Sequence, residues 1–519
     1  MTPRIRHNDY STLPLPKIGE WEPRLPVSVV IPAHGSQEKL DLTLASLAAQ
    51  TYPSHLLEVV VVDDGSTSPL RLPEIAPERA RLVRGTGPKW GRAHACHTGS
   101  MHAEGEVVHW LDSGMLVFDD HVEAQLRWHH LAGYLVVLGY QRFVDFTPGR
   151  LSPREVFDAA GKLFDHEKSL PHEWVEKMID ATDGLRRHGS SSFEAHSGGT
   201  TSVPMALLRA AGGMDDSLVL GEDRDLGFRL AQQGAVFVPD PQARSWHLGL
   251  STTVRDDDRV RRHNEPYLSH RLPLHRDWRG WAGRQWLVPS VDVVIDARDR
   301  TYEQVRTEVG AALAGELPDI SVTIIGPWTG LDGERPSPLD DPQLDLRLIQ
   351  AAFAHDGRVR FADELADTSA PAPFRFTCPP GWVLTVDALR SLLDLAEGED
   401  YGAILLALPE KADLVVARFE RTAAVARALA VREDGDKLDD LVYEMYGSHW
   451  IDGTQWALVP AEDAAETSPR AEDVLRWKRE AERWEAEAAR LKAKLEAPIA
   501  SKMRDAARRR VSRLRRRVR

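Results

Sequence analysis

Three acidic stretches, Asp63-Asp64-Gly65-Ser66, Asp112-Ser113-Gly114 and Glu222-Asp223, stand where carboxylates could do chemistry. The first two follow uninterrupted apolar runs, VVVV and VVHWL, so each sets a carboxylate just beyond a buried strand. In open α/β sheets that edge is where ligands bind. A carboxylate there can accept from a ring N–H or a ribose hydroxyl, although Asp-Asp-Gly-Ser is also a good turn sequence. Glu222 and Asp223 open the helical pattern EDRDLGFRLAQ. Adjacent acids in a first helical turn either favour the helix dipole or form a general base whose pKa the neighbour raises.

The elements that position these groups follow from the apolar pattern. VSVVI (27–31), ended by Pro32, reads as a buried strand, residues 37–49 as a helix, and LEVVVV (57–62) as the next strand, which implies a right-handed parallel crossover. EVVHWL (106–111) adds a third strand and brings Asp112 to the same edge. Residues 149–193 turn polar and helical and read as an insertion over the crevice. A glycine-rich turn at Gly198-Gly199, a short helix, the Glu222-Asp223 helix and a last strand ending at Trp246-His247 follow. Asp119 and Asp120 read as caps of a following helix.

The order then repeats. Residues 290–328 (SVDVVIDARDR…ISVTIIGPW) have the strand, helix, strand spacing of the first unit. TCPPGWVLTVDALRSLL (377–393) parallels WLDSGMLVFDDHVEAQL (110–126), with Gly381 against Gly114 and Pro379 where Asp112 stands. The second copy keeps the scaffold and drops the carboxylate. The expected organisation is an N-terminal extension (1–24), a first α/β domain (25–285), a degenerate second one (286–460), a coiled coil (468–497) and a basic tail (498–519). The coiled coil rests on Val474, Trp477, Ala481, Trp484, Ala488, Leu491 and Leu495, at alternating spacings of three and four. It predicts a homo-oligomer, and the tail predicts contact with an anionic membrane surface.

Composition narrows the function. A net charge of −14 over 519 residues argues against a nucleic-acid-binding body. Two distant cysteines, Cys96 and Cys378, exclude a disulfide framework or a thiolate zinc cluster and fit a reducing compartment. With no apolar leader and no run of 18 apolar residues, the sequence predicts a cytoplasmic protein, peripheral at the inner membrane face through its tail.

The ordered set VSVVIPAHG, VVVVDDGS, EGEVVHWLDSG, GGMDDSLVLGEDRDLGFRL and SWH, over about residues 25–255, resembles the family-2 glycosyltransferases of the GT-A fold. The resemblance implies a nucleotide-diphospho-sugar donor, often a UDP-sugar, lying across the strand ends. It also implies an inverting transfer to a hydroxyl of a glycan or lipid-linked acceptor, in cell-surface polysaccharide or glycoconjugate assembly. Pro32, Ala33 and His34 would face the nucleoside, with Asp64 or Asp63 on the base or ribose. Arg92 would meet the diphosphate, Gly198 and Gly199 would let the sugar approach, and Asp223, beside Glu222, would be the base. The family's Asp-any-Asp motif reads Asp112-Ser113-Gly114 here, which lacks its usual direct metal ligand. Asp112 and His247, with the diphosphate, are then the expected holders of Mn or Mg. Gly114→Asp would tighten that site provided position 114 does not need a positive φ. Two rival readings are a catalytically silent sugar-nucleotide-binding scaffold, to which Gly114 and the degenerate copy point, and a nucleotidyltransferase.

Overall fold

The computed structural model describes residues 2–85, 89–274, 279, 285–331, 337–409 and 414–464. The coiled-coil and basic-tail expectations, at 468–519, lie outside these residues. The described residues up to Leu458 form one compact unit. Among the described residues, no helix is long and apolar enough to cross a membrane.

In the first half of this unit, strands β1 (Val27–Ala33), β2 (Leu57–Asp63), β3 (Arg79–Arg84), β4 (Val107–Leu111), β5 (Met115–Val117), β6 (Leu135–Val144), β7 (Leu170–Pro171), β8 (Thr200–Pro204) and β9 (Val236–Leu248) form one nine-stranded sheet. Its order is β3-β2-β1-β4-β8-β6-β9-β5, with β7 paired to β6. β1 to β4 run parallel, β8 is antiparallel to both β4 and β6, and β9 runs parallel to β6. Every residue of β2 and β4 is buried, as strands covered on both faces require. Helices α1 (Gln37–Ala48), α2 (Arg92–His102), α3 (His121–His129), α4 (Pro153–Ala159), α5 (Glu173–Ala181), α6 (Met205–Ala210), α7 (Glu222–Gln232), α8 (Thr252–Arg255) and α9 (Asp257–Ser269) complete this half. Ser36 caps α1, and Leu40, Leu44 and Leu47 pack it onto β1 and β2. Asp120 does hold the N-cap position of α3, but its side chain accepts no helix N–H and instead lies 3.5 Å from Arg244.

The second half carries β10 (Val291–Asp296), α10 (Tyr302–Leu313), β11 (Ile320–Ile325), α11 (Leu344–Phe353), β12 (Val359–Ala362), β13 (Phe374–Cys378), β14 (Trp382–Leu384), α12 (Ala388–Gly398), β15 (Ala403–Pro409), β16 (Leu414–Arg421), α13 (Thr422–Val431), α14 (Leu438–Tyr446) and β17 (Ser448–Asp452). Its sheet order, β12-β11-β10-β13-β16-β15-β17, repeats the first sheet strand for strand up to β9. The directions repeat as well: four parallel strands, two antiparallel pairings, one parallel strand. Val27 pairs with Val107 and Val291 with Phe374, so Pro379 occupies the place of Asp112 and Gly381 that of Gly114. Both glycines have positive φ, +99° and +82°. Their N–H groups are bound alike, at 2.9 Å, by Thr43 Oγ1 on α1 and by Glu308 Oε1 on α10. Glu308 is fully buried and ion-paired with Arg300.

The halves share a core. Ile5 and Leu13 of the N-terminal segment, Leu135 and Val137 of β6, and Val236 and Val238 of β9 pack against Ala424, Val425 and Ala428 of α13 and Met445 of α14. Arg427, buried in this joint, donates to the carbonyls of Gly234 (2.8 Å), Ala235 (2.9 Å), Ile5 (3.3 Å) and His7. Residues 1–24 are therefore part of the folded body.

Candidate active site

At the carboxyl edge of the first sheet, the three acids that could do chemistry meet on one guanidinium. Arg92, the first residue of α2, donates from Nε to Asp112 Oδ1 at 2.7 Å, and from Nη1 to Asp223 Oδ1 at 2.8 Å and Glu222 Oε1 at 3.1 Å. Asp112 arrives on the end of β4, and Glu222 and Asp223 on the first turn of α7. His196 Nδ1 donates to the Asp223 carbonyl at 2.7 Å and so fixes where α7 begins. Gly198 is needed for the cluster to close: a Cβ there would collide with Asp223 Oδ1 and lie 2.5 Å from Arg92 Nη2. Arg92 Nη2 is buried and has no hydrogen-bond partner among the described residues.

The electrostatics follow from this crowding. Burial opposes the charge on Arg92, but Asp112, Asp223 and Glu222 outweigh it and hold the guanidinium firmly protonated. Glu222 is almost fully buried; desolvation first, and Asp223 second, push its carboxyl up to about 7 against the pull of Arg92. Asp223 keeps 28% of its side chain exposed, against 6% for Glu222, so it is the acid of the pair open to a second reactant.

The raised Glu222 carboxyl links stability to pH. Its ionised form is disfavoured in the folded state, so its favourable contribution is complete below the ordinary value of 4.5 and is lost as pH rises through about 7. Glu222→Gln, which keeps a carbonyl for Arg92, is expected to match the parent protein at pH 5 and to exceed it at pH 8 by up to about 3 kcal/mol. Urea unfolding at the two pH values reads this out; equal differences at both would mean that Glu222 ionises normally.

The two aspartates at the end of β2 make different contacts. Asp63 is buried and spends both carboxylate oxygens on backbone N–H groups, Ser66 at 2.9 Å and Leu70 at 3.1 Å. It shapes the turn. Asp64 Oδ2 accepts the Gly91 N–H at 2.6 Å, where α2 begins, and its carbonyl accepts from His34 Nδ1 at 2.9 Å. Pro32 and Ala33 close β1 beside them.

On the other flank of Asp112, His247 near the end of β9 donates from Nδ1 to the Gly249 carbonyl at 2.5 Å, which leaves Nε2 its lone pair. Burial lowers its pKa, against the pull of Asp112, and keeps the ring neutral. Gly114 sits at φ +99°, and a Cβ there would lie 3.0 Å from Lys39 Cδ. Lys39 Nζ donates to the Leu248 carbonyl at 2.8 Å. The condition attached to Gly114→Asp is thus not met. That variant is expected to lose about 1–3 kcal/mol of stability and to leave cation affinity no better than before. A thermal melt with a manganese titration checks both; a stable variant with tighter binding would refute this.

Among the described residues no three His, Cys, Asp or Glu side chains are arranged to hold a metal. The sequence pattern did not single out Gln141, His172, His196 or Lys39. Gln141 lies on β6, in LVVLGYQRFV, where an amide among apolar residues of a buried strand was the available signal.

A mixed sheet of this order, with a lone carboxylate at the end of β4 and an acid pair opening the helix beside it, is the arrangement of the GT-A fold. Residues 28–190 match the model for Glycosyl transferase family 2. The chain is similar to a chondroitin synthase of Escherichia coli, 25% identical over 65% of this chain and 50% of that protein. It is also similar to a validoxylamine A glucosyltransferase of Streptomyces hygroscopicus subsp. limoneus, 28% identical over 50% of this chain and 61% of that one. The chain thus spans between half and two thirds of the length of these relatives. Among solved structures, a mannosyltransferase from Pyrobaculum calidifontis in complex with GDP-Man and Mn2+ aligns at 20% identity over 47% of this chain and 64% of that chain, with a TM-score of 0.33.

Proposed function

We propose that the first half transfers a sugar from a nucleotide-diphosphate donor, a UDP-sugar by preference, to an acceptor hydroxyl with inversion. The observation that carries this is the convergence of Asp112, Glu222 and Asp223 on Arg92. Inversion needs one base on the acceptor side, in line with the leaving diphosphate, and no covalent nucleophile. Asp223, exposed at the start of α7, takes the hydroxyl proton. Glu222, behind it, holds Arg92. Arg92 keeps a buried Nη2 without a partner among the described residues, which a diphosphate oxygen would satisfy while shifting the guanidinium's hold away from Asp223. Donor binding thereby frees the base. Asp64, His34, Pro32 and Ala33 form the nucleoside end, and Gly199 leaves room for the sugar. The chondroitin synthase among the relatives supports a glycan hydroxyl as acceptor and a role in polysaccharide assembly.

The charges call for a further cation. One guanidinium faces three carboxylates, and a diphosphate adds more negative charge to a partly desolvated site. The donor set fits Mn or Mg: Asp112 Oδ2 is not the oxygen that Arg92 holds, and His247 Nε2 keeps its lone pair. Asp112, His247 and the diphosphate would hold such an ion, which would supply charge neutralisation at the leaving group. Asp112 orients Arg92 whether or not it does so.

Calorimetry with UDP tests the reading. In excess Mn2+ the expected affinity is at least about tenfold tighter than in chelator, because the protein alone supplies too little positive charge. Asp64→Ala is expected to weaken UDP under both conditions. Equal affinity with and without the ion would remove the cation, and no binding of any nucleotide sugar would remove the donor assignment.

A further inference from the structure

The crevice holds an oxygen that nothing in the fold uses. Gln141 is buried on β6, 7% exposed, and its amide nitrogen donates to His172 Nδ1 at 3.0 Å. That contact turns Oε1 the other way, where it is buried and has no hydrogen-bond partner among the described residues. A buried amide carbonyl left without a donor is uncommon, and each case calls for a reason. The direction it faces is informative. A Cβ built on Gly199 would lie 2.9 Å from Gln141 Oε1 and 3.5 Å from Asp112 Oδ2, so the two oxygens look onto the same point from the strands on either side of β8. Phe143 touches the rings of both His172 and His247, at 5.7 and 5.2 Å between centroids, which brings the imidazole of β9 up beside the pair.

The position that normally supplies the second acid cannot do so here. Gly114 has a backbone that strains any side chain, and the Lys39 stem already lies against it. An amide carbonyl is a hard oxygen donor that Mn and Mg accept alongside carboxylate, imidazole and water. We propose that Gln141 Oε1 is the third protein donor to the divalent cation, in place of the carboxylate missing at position 114. His172, from the insertion after β6, is the positioning residue that keeps the carbonyl and not the NH2 facing Asp112. The inference rests on the cation-assisted reading above. A neutral donor adds no charge, so the ion binds weakly until the diphosphate joins it.

The test is a manganese titration of the full chain, followed by the signal of free Mn2+ in paramagnetic resonance, with and without saturating UDP. With UDP present, Gln141→Leu is expected to weaken Mn2+ by about tenfold or more, as Asp112→Asn does, and Gln141→Glu to bind at least as tightly as the parent and to retain Mn2+ without UDP. Parent-like affinity in Gln141→Leu, with loss in Asp112→Asn, would overturn the role of Gln141 and leave the cation reading standing. No UDP-dependent Mn2+ binding in the parent protein would end both. If Gln141→Leu fails to fold, Gln141→Glu decides alone: affinity no better than the parent's, with or without UDP, counts against the proposal.

Discussion

Asp223→Asn is expected to lower the turnover of sugar transfer by about 10^2- to 10^4-fold while UDP affinity stays close to that of the parent. The reason lies in what the substitution keeps. Asparagine retains the Oδ1 that accepts from Arg92 Nη1 at 2.8 Å, so the cluster stays assembled and the donor still finds its cations. What disappears is the capacity to take a proton from the acceptor. A kinetic assay that follows UDP release with and without acceptor, together with calorimetry of UDP, separates the two effects. Transfer at the parent rate would remove Asp223 from the chemistry and turn attention to Glu222. A parallel loss of UDP affinity would mean that the carboxylate's charge, and not its basicity, holds the site together.

The second large effect is expected at Arg92. Arg92→Met leaves three carboxylates gathered with no cation among them, and removing one partner of a partly buried ion network costs about 2–3 kcal/mol here. The stability deficit should shrink as pH falls toward 5, because Glu222, whose carboxyl is raised to about 7, then takes up its proton. Arg92→Lys is the sharper probe. A lysine ammonium is a point charge and cannot span Asp112 on one side and Glu222 and Asp223 on the other, as Nε and Nη1 do together. It is expected to restore most of the melting temperature yet leave UDP binding at least about tenfold weaker than in the parent. Parent-like UDP affinity in Arg92→Lys would make Arg92 a structural clamp with no part in donor binding.

The strands that end in Asp64 and Asp112, and the helix that opens with Glu222-Asp223, were legible because strands covered on both faces leave unbroken apolar runs and a first helical turn has its own acid preference. The duplication was legible for the same reason, and the register that sets Pro379 on Asp112 follows from it. The meeting of the acids on Arg92 was not. Arg92 lies 20, 130 and 131 positions from its three partners, and no local pattern encodes a contact of that span. Gln141 was missed because β6 breaks its apolar run at Gly139 and so gives neither a clean alternation nor an unbroken stretch. The sequence did not separate Asp63 from Asp64: one acid in Asp-Asp-Gly-Ser serves the turn and the other the helix that follows, a division that depends on which way each side chain leaves the strand. Residues 1–24 gave no periodic signal because they are pinned by single anchors such as Ile5 and by the carbonyls that Arg427 reaches.

That arginine has a wider bearing. The second sheet has a front and a back with different obligations. Its front, with Pro379 and the Arg300–Glu308 pair, answers only to its own packing and carries a proline at the position equivalent to Asp112. Its back answers to more, because Arg427 and the small residues Ala424 and Ala428 must suit the main chain of a different sheet and of the N-terminal segment at once. The copy without the acid is therefore retained as the other wall of a shared interior. A change of substrate chemistry can proceed at the first crevice without disturbing it, whereas a change of one residue on α13 is felt in both halves of the chain.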